Sequence, residues 1–92
     1  MKFMTTWSAK PGALREAVKR FLATQAAPPP GVTLLGRWHN TDLSGGFSLI
    51  ETSDPKASFE SAALWADLLD FKTHGVIEDA EAGQIYAKVF GK

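Results

Sequence analysis

The chain has 92 residues, ten basic side chains against ten acidic ones, and no cysteine. That length suits a single domain over residues 1–92, and a net charge of zero leaves no basic footprint for nucleic acid or anionic lipid. Without thiols there is no disulfide scaffold, thiolate nucleophile or thiolate metal site.

Met1 to Trp7 carries one basic residue but no apolar stretch suited to a signal peptide. Asp67, Asp70 and Lys72 interrupt the most apolar region, so no membrane span is expected and the protein is read as cytoplasmic. Lys2 to Ser8 alternates as a strand. Pro11-Gly12 then opens a helix in which Leu14, Ala17, Val18, Phe21 and Leu22 form one stripe, with a Glu16–Arg20 pair on its outer face. Pro28-Pro29-Pro30-Gly31 stops it.

Val32 to His39 and Gly46 to Thr52 read as two strands joined by the polar loop 40–45. Asp54-Pro55 is a helix start, and that helix is expected to reach about Leu69 with a core stripe of Phe59, Ala62, Ala63, Ala66 and Leu69. Phe71 to Glu78 reads as a fourth strand. In the tail, Ala82, Ile85, Tyr86, Val89 and Phe90 fit a helical stripe behind an Asp79 cap, while Ile85, Ala87 and Val89 also alternate; the helix is the expectation. The order β-α-β-β-α-β plus a short terminal helix specifies an α+β, ferredoxin-like domain with strand order 4-1-3-2 and both long helices on one face.

Sorting the strands by parity and hydrophobicity sends Phe3, Trp7, Leu34, Trp38, Phe47, Leu49, Phe71 and Ile77 toward the helices. Met4, Thr6, Leu35, Arg37, His39, Ser48, Ile50, His74 and Val76 then occupy the other face. That second set is too apolar for water and too polar for a core, so a second copy of the sheet is expected to cover it, giving a homodimeric barrel.

Gly36-Arg37-Trp38-His39, Gly45-Gly46-Phe47 with Glu51, and Trp65-Ala66-Asp67-Leu68-Leu69 resemble a small bacterial family designated a domain of unknown function. The resemblance covers nearly the whole chain and is most specific at Gly-Arg-Trp-His. It places the chain with or close to the dimeric α/β-barrel superfamily. That implies a ferredoxin-like protomer, dimerisation and a cleft between helices and sheet. The wider superfamily includes cofactor-independent monooxygenases, lactone isomerases, haem enzymes and stress-response proteins. The resemblance carries over no functional residues, and fold alone does not assign chemistry.

The candidate chemistry is therefore read from residue types. His39 and His74 are each either a general base or an ordinary strand histidine; on opposite edges they stand roughly 14 Å apart and share no ligand within one protomer. Arg37 clamps a carboxylate or polarises a carbonyl in one reading, and pairs with Glu51 or Asp42 in the other. Trp7, Trp38, Trp65 and Tyr86 either wall a pocket or fill core. Asp67 and Asp70 read as a solvated helix end, or Asp67 as a base facing a cleft. Ser48 lacks a nucleophile elbow, and Gly45-Gly46 precedes no helix that would bind phosphate.

The leading reading is a dimeric barrel binding a compact, partly apolar organic molecule, extending to a cofactor-independent monooxygenase- or isomerase-like reaction. His39 and Arg37 are its catalytic candidates, and Trp7, Trp38, Trp65 and His74 its binding candidates. No cofactor and no metal are expected. The alternative is a non-catalytic binding or protein-interaction module docking through Leu64-Trp65-Leu68 and the terminal helix.

Overall fold

A strand that alternates Phe3, Thr5 and Trp7 with Lys2, Met4 and Thr6 belongs in the middle of a sheet, and there β1 (Lys2–Ala9) lies, hydrogen-bonded on both sides. The computed structural model describes residues 1–91. After β1 come α1 (Leu14–Thr24), β2 (Thr33–His39), β3 (Gly46–Glu51), α2 (Pro55–Ala63), β4 (Leu69–Val76) and α3 (Asp79–Phe90). The sheet order is β2-β3-β1-β4 with all neighbours antiparallel. The chain is thus α+β and ferredoxin-like with a C-terminal helix, as its element order implied.

Antiparallel partners share a face, so the register sorts the strands without ambiguity. Three rows of four residues face the helices: Leu34–Ile50–Phe3–Gly75, Arg37–Ser48–Thr5–Thr73 and His39–Gly46–Trp7–Phe71. The opposite face carries Met4, Thr6, Phe47, Leu49, Trp38, Lys72, His74 and Val76. This corrects the parity sorting in two strands. In β2 the pairing slips between Leu34 and Gly36, and the bulge at Leu35 puts Leu34 and Arg37 on the same face although their numbers differ by three. In β3 the larger residues, Phe47 and Leu49, turn outward, while Gly46, Ser48 and Ile50 turn inward and are buried. Hydrophobicity was the wrong guide there, because the inner floor is built from small side chains.

The buried cluster is small. Val32, Ile50 and Ala57 pack together with Phe3 and Leu34 where α2 begins. Asp54 caps α2, accepting from the Lys56 backbone N–H at 2.9 Å, and Pro55 occupies the first turn.

This helix is shorter than its sequence suggests, ending at Ala63 instead of about Leu69. Arg20 of α1 explains the stop. Its guanidinium donates to the Leu64 carbonyl at 3.0 Å and bidentately to Asp67 at 2.9 and 2.8 Å. The Leu64 carbonyl would otherwise receive the Leu68 N–H, which instead donates to Trp65 O at 3.0 Å. Residues 64–68 therefore form tight turns, and β4 starts two residues early, opposite Ala9. Arg20 is accordingly ion-paired with Asp67 and not with Glu16. The inward face of α2 is also rotated from the expected one: Ala57 is buried while Phe59 is 77% exposed.

α3 starts in a capping box formed by Glu78 and Glu81, one residue before the expected Asp79 cap. Lys2 pairs with Glu78 and ties down this end. Beyond that tie every α3 residue is exposed except Ala82, which is half-buried. The radius of gyration is 15.6 Å, against about 12 Å for a compact domain of this length, and the longest extent is 53 Å. The apolar stripe of α3 thus projects from the domain uncovered.

Candidate functional site

Small residues on the inner floor leave space under the helices. Thr5, Ser48, Thr73 and Gly46 cannot fill the gap beneath α1 and α2, and a cleft of about 450 Å³ remains. Its size falls within the range of ligand sites. The whole expected α1 stripe lines it: Leu14, Ala17, Val18, Phe21 and Leu22. Ser58, Ser61 and Ala62 of α2 form the facing wall, and Trp65 and Leu69 of the following segment close one side. Arg20 stabilises that side, since its guanidinium lies 5.4 Å from the Trp65 ring centroid while holding Asp67. Asp67 is thereby kept below the ordinary carboxylate range by its Arg20 partner and does not line the cleft.

Four of the sequence candidates meet in this space: Trp7, Arg37, His39 and Trp65. The His39 ring makes edge contacts with Trp7 at 5.6 Å and with Phe21 at 5.3 Å, so two aromatic rings orient the imidazole at the mouth. Trp7 itself lies over Gly46, where a Cβ would come within 2.6 Å of the indole. Thr5 and Thr73 hydroxyls approach at 3.1 Å on the floor.

Arg37 is held from the helix side. Nη1 donates to Gln25 O at 3.2 Å and Nη2 to Ala26 O at 2.7 Å. These two residues follow α1 with φ of 59° and 47°, a left-handed conformation that non-glycine residues avoid. The guanidinium thus ties down a strained turn and simultaneously reaches the cleft. Burial pushes its pKa below the usual guanidinium value. Neither Glu51 nor Asp42 pairs with it; Asp42 instead accepts from the Ser44 backbone N–H and hydroxyl, which lowers its pKa.

Two other candidates lie elsewhere. Trp38 stacks on Phe47 on the outer face, with ring centroids 5.4 Å apart, and His74 lies on that same face opposite Met4. His39 and His74 occupy opposite edges, as expected, and also opposite faces of the sheet. Tyr86 is out on α3 beside Phe90. The Leu64-Trp65-Leu68 patch loses its helical basis, since these residues are in turns and Trp65 is half-buried against the cleft.

Phe21, Ser48, Thr5, Thr73 and Leu43 line the cleft without having been read as site residues. Phe21 was visible as part of the α1 stripe, but nothing local marks the hydroxyl residues as floor. Leu43 reaches the mouth from the 40–45 loop with a φ of 66°. Among the described residues, no three His, Asp or Glu side chains gather closely enough to hold a metal ion, and no helix is long and apolar enough to cross a membrane.

No curated protein and no solved structure matches the chain. One family does match, over residues 1–90, and the chain belongs to it: the family described as Domain of unknown function (DUF3303).

Proposed function

We propose that this protein binds a compact, partly apolar organic molecule in the cleft between α1, α2 and the sheet. The observation that carries the reading is the convergence of Trp7, Phe21, His39 and Trp65 around a space of about 450 Å³ floored by small polar residues. His39 is the group suited to moving a proton at the mouth. An isomerase-like reaction needs only such a base to remove and return one proton. A monooxygenase-like reaction needs dioxygen as a second substrate and an organic substrate that itself supplies the electrons, as when a CH2 group becomes a carbonyl and the second oxygen atom leaves as water. A screen of small acids, amides, lactones and phenols by thermal shift and tryptophan fluorescence tests the binding. Hits should quench the cleft tryptophans, and His39→Ala should weaken them at least tenfold or abolish turnover. No hit, or hits indifferent to substitutions at Trp7 and His39, would overturn the reading.

The protein is also proposed to be a homodimer. Support comes from two surfaces without a cover in one chain: the outer sheet face, with Trp38 50% and Phe47 39% exposed, and the α3 stripe, with Phe90 76% exposed. Each exposes large apolar side chains, and a second neutral copy offers the same pair of surfaces in return. Sedimentation of the full chain should give twice the mass of 10.0 kDa, and Trp38→Asp combined with Val89→Asp should give monomer. A wild-type monomer at high concentration would refute the assembly.

A further inference from the structure

The charge pattern of the cleft selects among organic molecules. Among the described residues, the wall carries one permanent charge, Arg37, and neither aspartate nor glutamate lines it. The other cations that pair do so elsewhere: Lys2 with Glu78, Lys10 with Asp70 and Arg20 with Asp67. Among the described residues, the hydrogen-bond partners of Arg37 are the backbone carbonyls of Gln25 and Ala26. A guanidinium has five N–H donors, so three remain beyond those bonds, and carbonyl dipoles solvate a charge without neutralising it. A half-buried cation in an apolar cleft ordinarily has a counter-charge.

The register supplies the second observation. Arg37, Ser48, Thr5 and Thr73 form one continuous cross-strand row on the floor, a cation followed by three hydroxyls. The adjacent row is His39, Gly46, Trp7 and Phe71, aromatic on either side of a gap. The floor is thus amphipathic along the strand direction, with polar and aromatic rows two residues apart, roughly 7 Å.

We infer that the cleft takes a small organic carboxylate, its anionic end on Arg37 and the hydroxyl row and its apolar body against Trp7 and Phe71. The inference rests on the reading of the cleft as a binding site and adds the class of ligand. Planar guanidinium matches a carboxylate with paired N–H donors, and charge-assisted bonds are about twice as strong as neutral ones.

Calorimetry on the full-length protein with matched pairs tests it: phenylacetate, indole-3-acetate and 3-methylbutanoate, each against its primary amide. At least one acid should bind tenfold or more tightly than its amide. Inorganic phosphate, which has charge but no apolar body, should bind at least tenfold more weakly than that acid. Arg37→Gln should bring acid and amide to equal affinity, by weakening the acid at least tenfold more than the amide. Because Arg37 also anchors the turn after α1, the wild-type acid-to-amide ratio stands as a test independent of whether that variant folds. Amides that bind as well as their acids would overturn the carboxylate and leave the binding cleft standing. If no pair binds and the wider screen is also empty, both readings fall.

Discussion

Arg37→Ala should destabilise the protein by about 2 kcal/mol. The bond from Nη2 to Ala26 O is short, at 2.7 Å and partly buried, and a hydrogen bond involving a charged group contributes about 1.5–3 kcal/mol. The bond from Nη1 to Gln25 O is longer, at 3.2 Å, and exposed, so it adds about 0.5 kcal/mol. Removing a partly desolvated cation returns some of that sum, since its burial opposes folding. For a domain of this size each 1 kcal/mol corresponds to about 4–8 °C, so the melting temperature should fall by about 8–16 °C.

Gln25→Gly with Ala26→Gly supplies the counter-experiment. Each left-handed residue carries a penalty of about 1–2 kcal/mol, which glycine removes at a cost of roughly 0.5–1 kcal/mol in unfolded-chain entropy. The pair should therefore raise stability by about 1 kcal/mol. Urea unfolding reads both changes, and hydrogen exchange reads them locally at the Gln25 and Ala27 amides, which donate to Phe21 O and Thr24 O. Local loss of about 2 kcal/mol would speed their exchange about 30-fold, given tenfold per 1.4 kcal/mol. A loss under about 0.5 kcal/mol in Arg37→Ala, or destabilisation by the glycine pair, would refute the role assigned to this guanidinium.

Acid should release the clasp between α1 and the turns after α2. Arg20 depresses the Asp67 pKa below its ordinary 3.8, so this contribution is complete above that value and is lost as pH falls through the lower folded value. Urea titrations below pH 4 should show Asp67→Asn losing less stability than the wild type; parallel losses would contradict the pairing. Gly46→Ala should disturb both the β2–β3 pairing and the Trp7 indole, at about 1–3 kcal/mol, because a Cβ there meets the Trp38 backbone carbonyl oxygen and comes within 2.6 Å of the indole ring. Near-ultraviolet dichroism should report the displaced tryptophan, and an unchanged spectrum would count against the packing. Asp54→Ala should cost about 1 kcal/mol in urea through loss of the α2 cap.

Local chemistry made much of the architecture legible. The α1 stripe from Leu14 to Leu22, the Asp54-Pro55 start and the glycine-bearing 40–45 loop are each decided by neighbours in sequence, and each occupies its expected place. Gly45 shows why the loop is so readable: at φ 139° a side chain would run into the Trp7 carbonyl. The end of α2 was not legible, because the group that takes the Leu64 carbonyl is Arg20, 44 residues earlier. A helix pattern in sequence cannot anticipate a distant donor competing for its own carbonyls.

The site was half legible for a related reason. Trp7 and Trp65 are large enough to nominate themselves, and both face the cleft. Arg37 and His39 were nominated by chemistry yet assigned to the wrong side of the sheet, and the Leu35 bulge accounts for it. If all the β2 residues paired regularly from Leu34, Arg37 and His39 would turn to the outer face, and Gly36 and Trp38 would turn toward the helices. One inserted residue moves a cation and an imidazole inside and a tryptophan outside. The same slip aligns Arg37 with Ser48, and so with Thr5 and Thr73, creating the polar row. Deleting Leu35, in contrast, would straighten the strand while Gly36–Leu49, Arg37–Ser48 and Trp38–Phe47 keep their pairing, so Arg37 and His39 would stay inside and Trp38 outside. Accommodating Leu35 as a bulge is therefore what keeps Arg37 and His39 in the cleft and Trp38 on the outer face in this sequence.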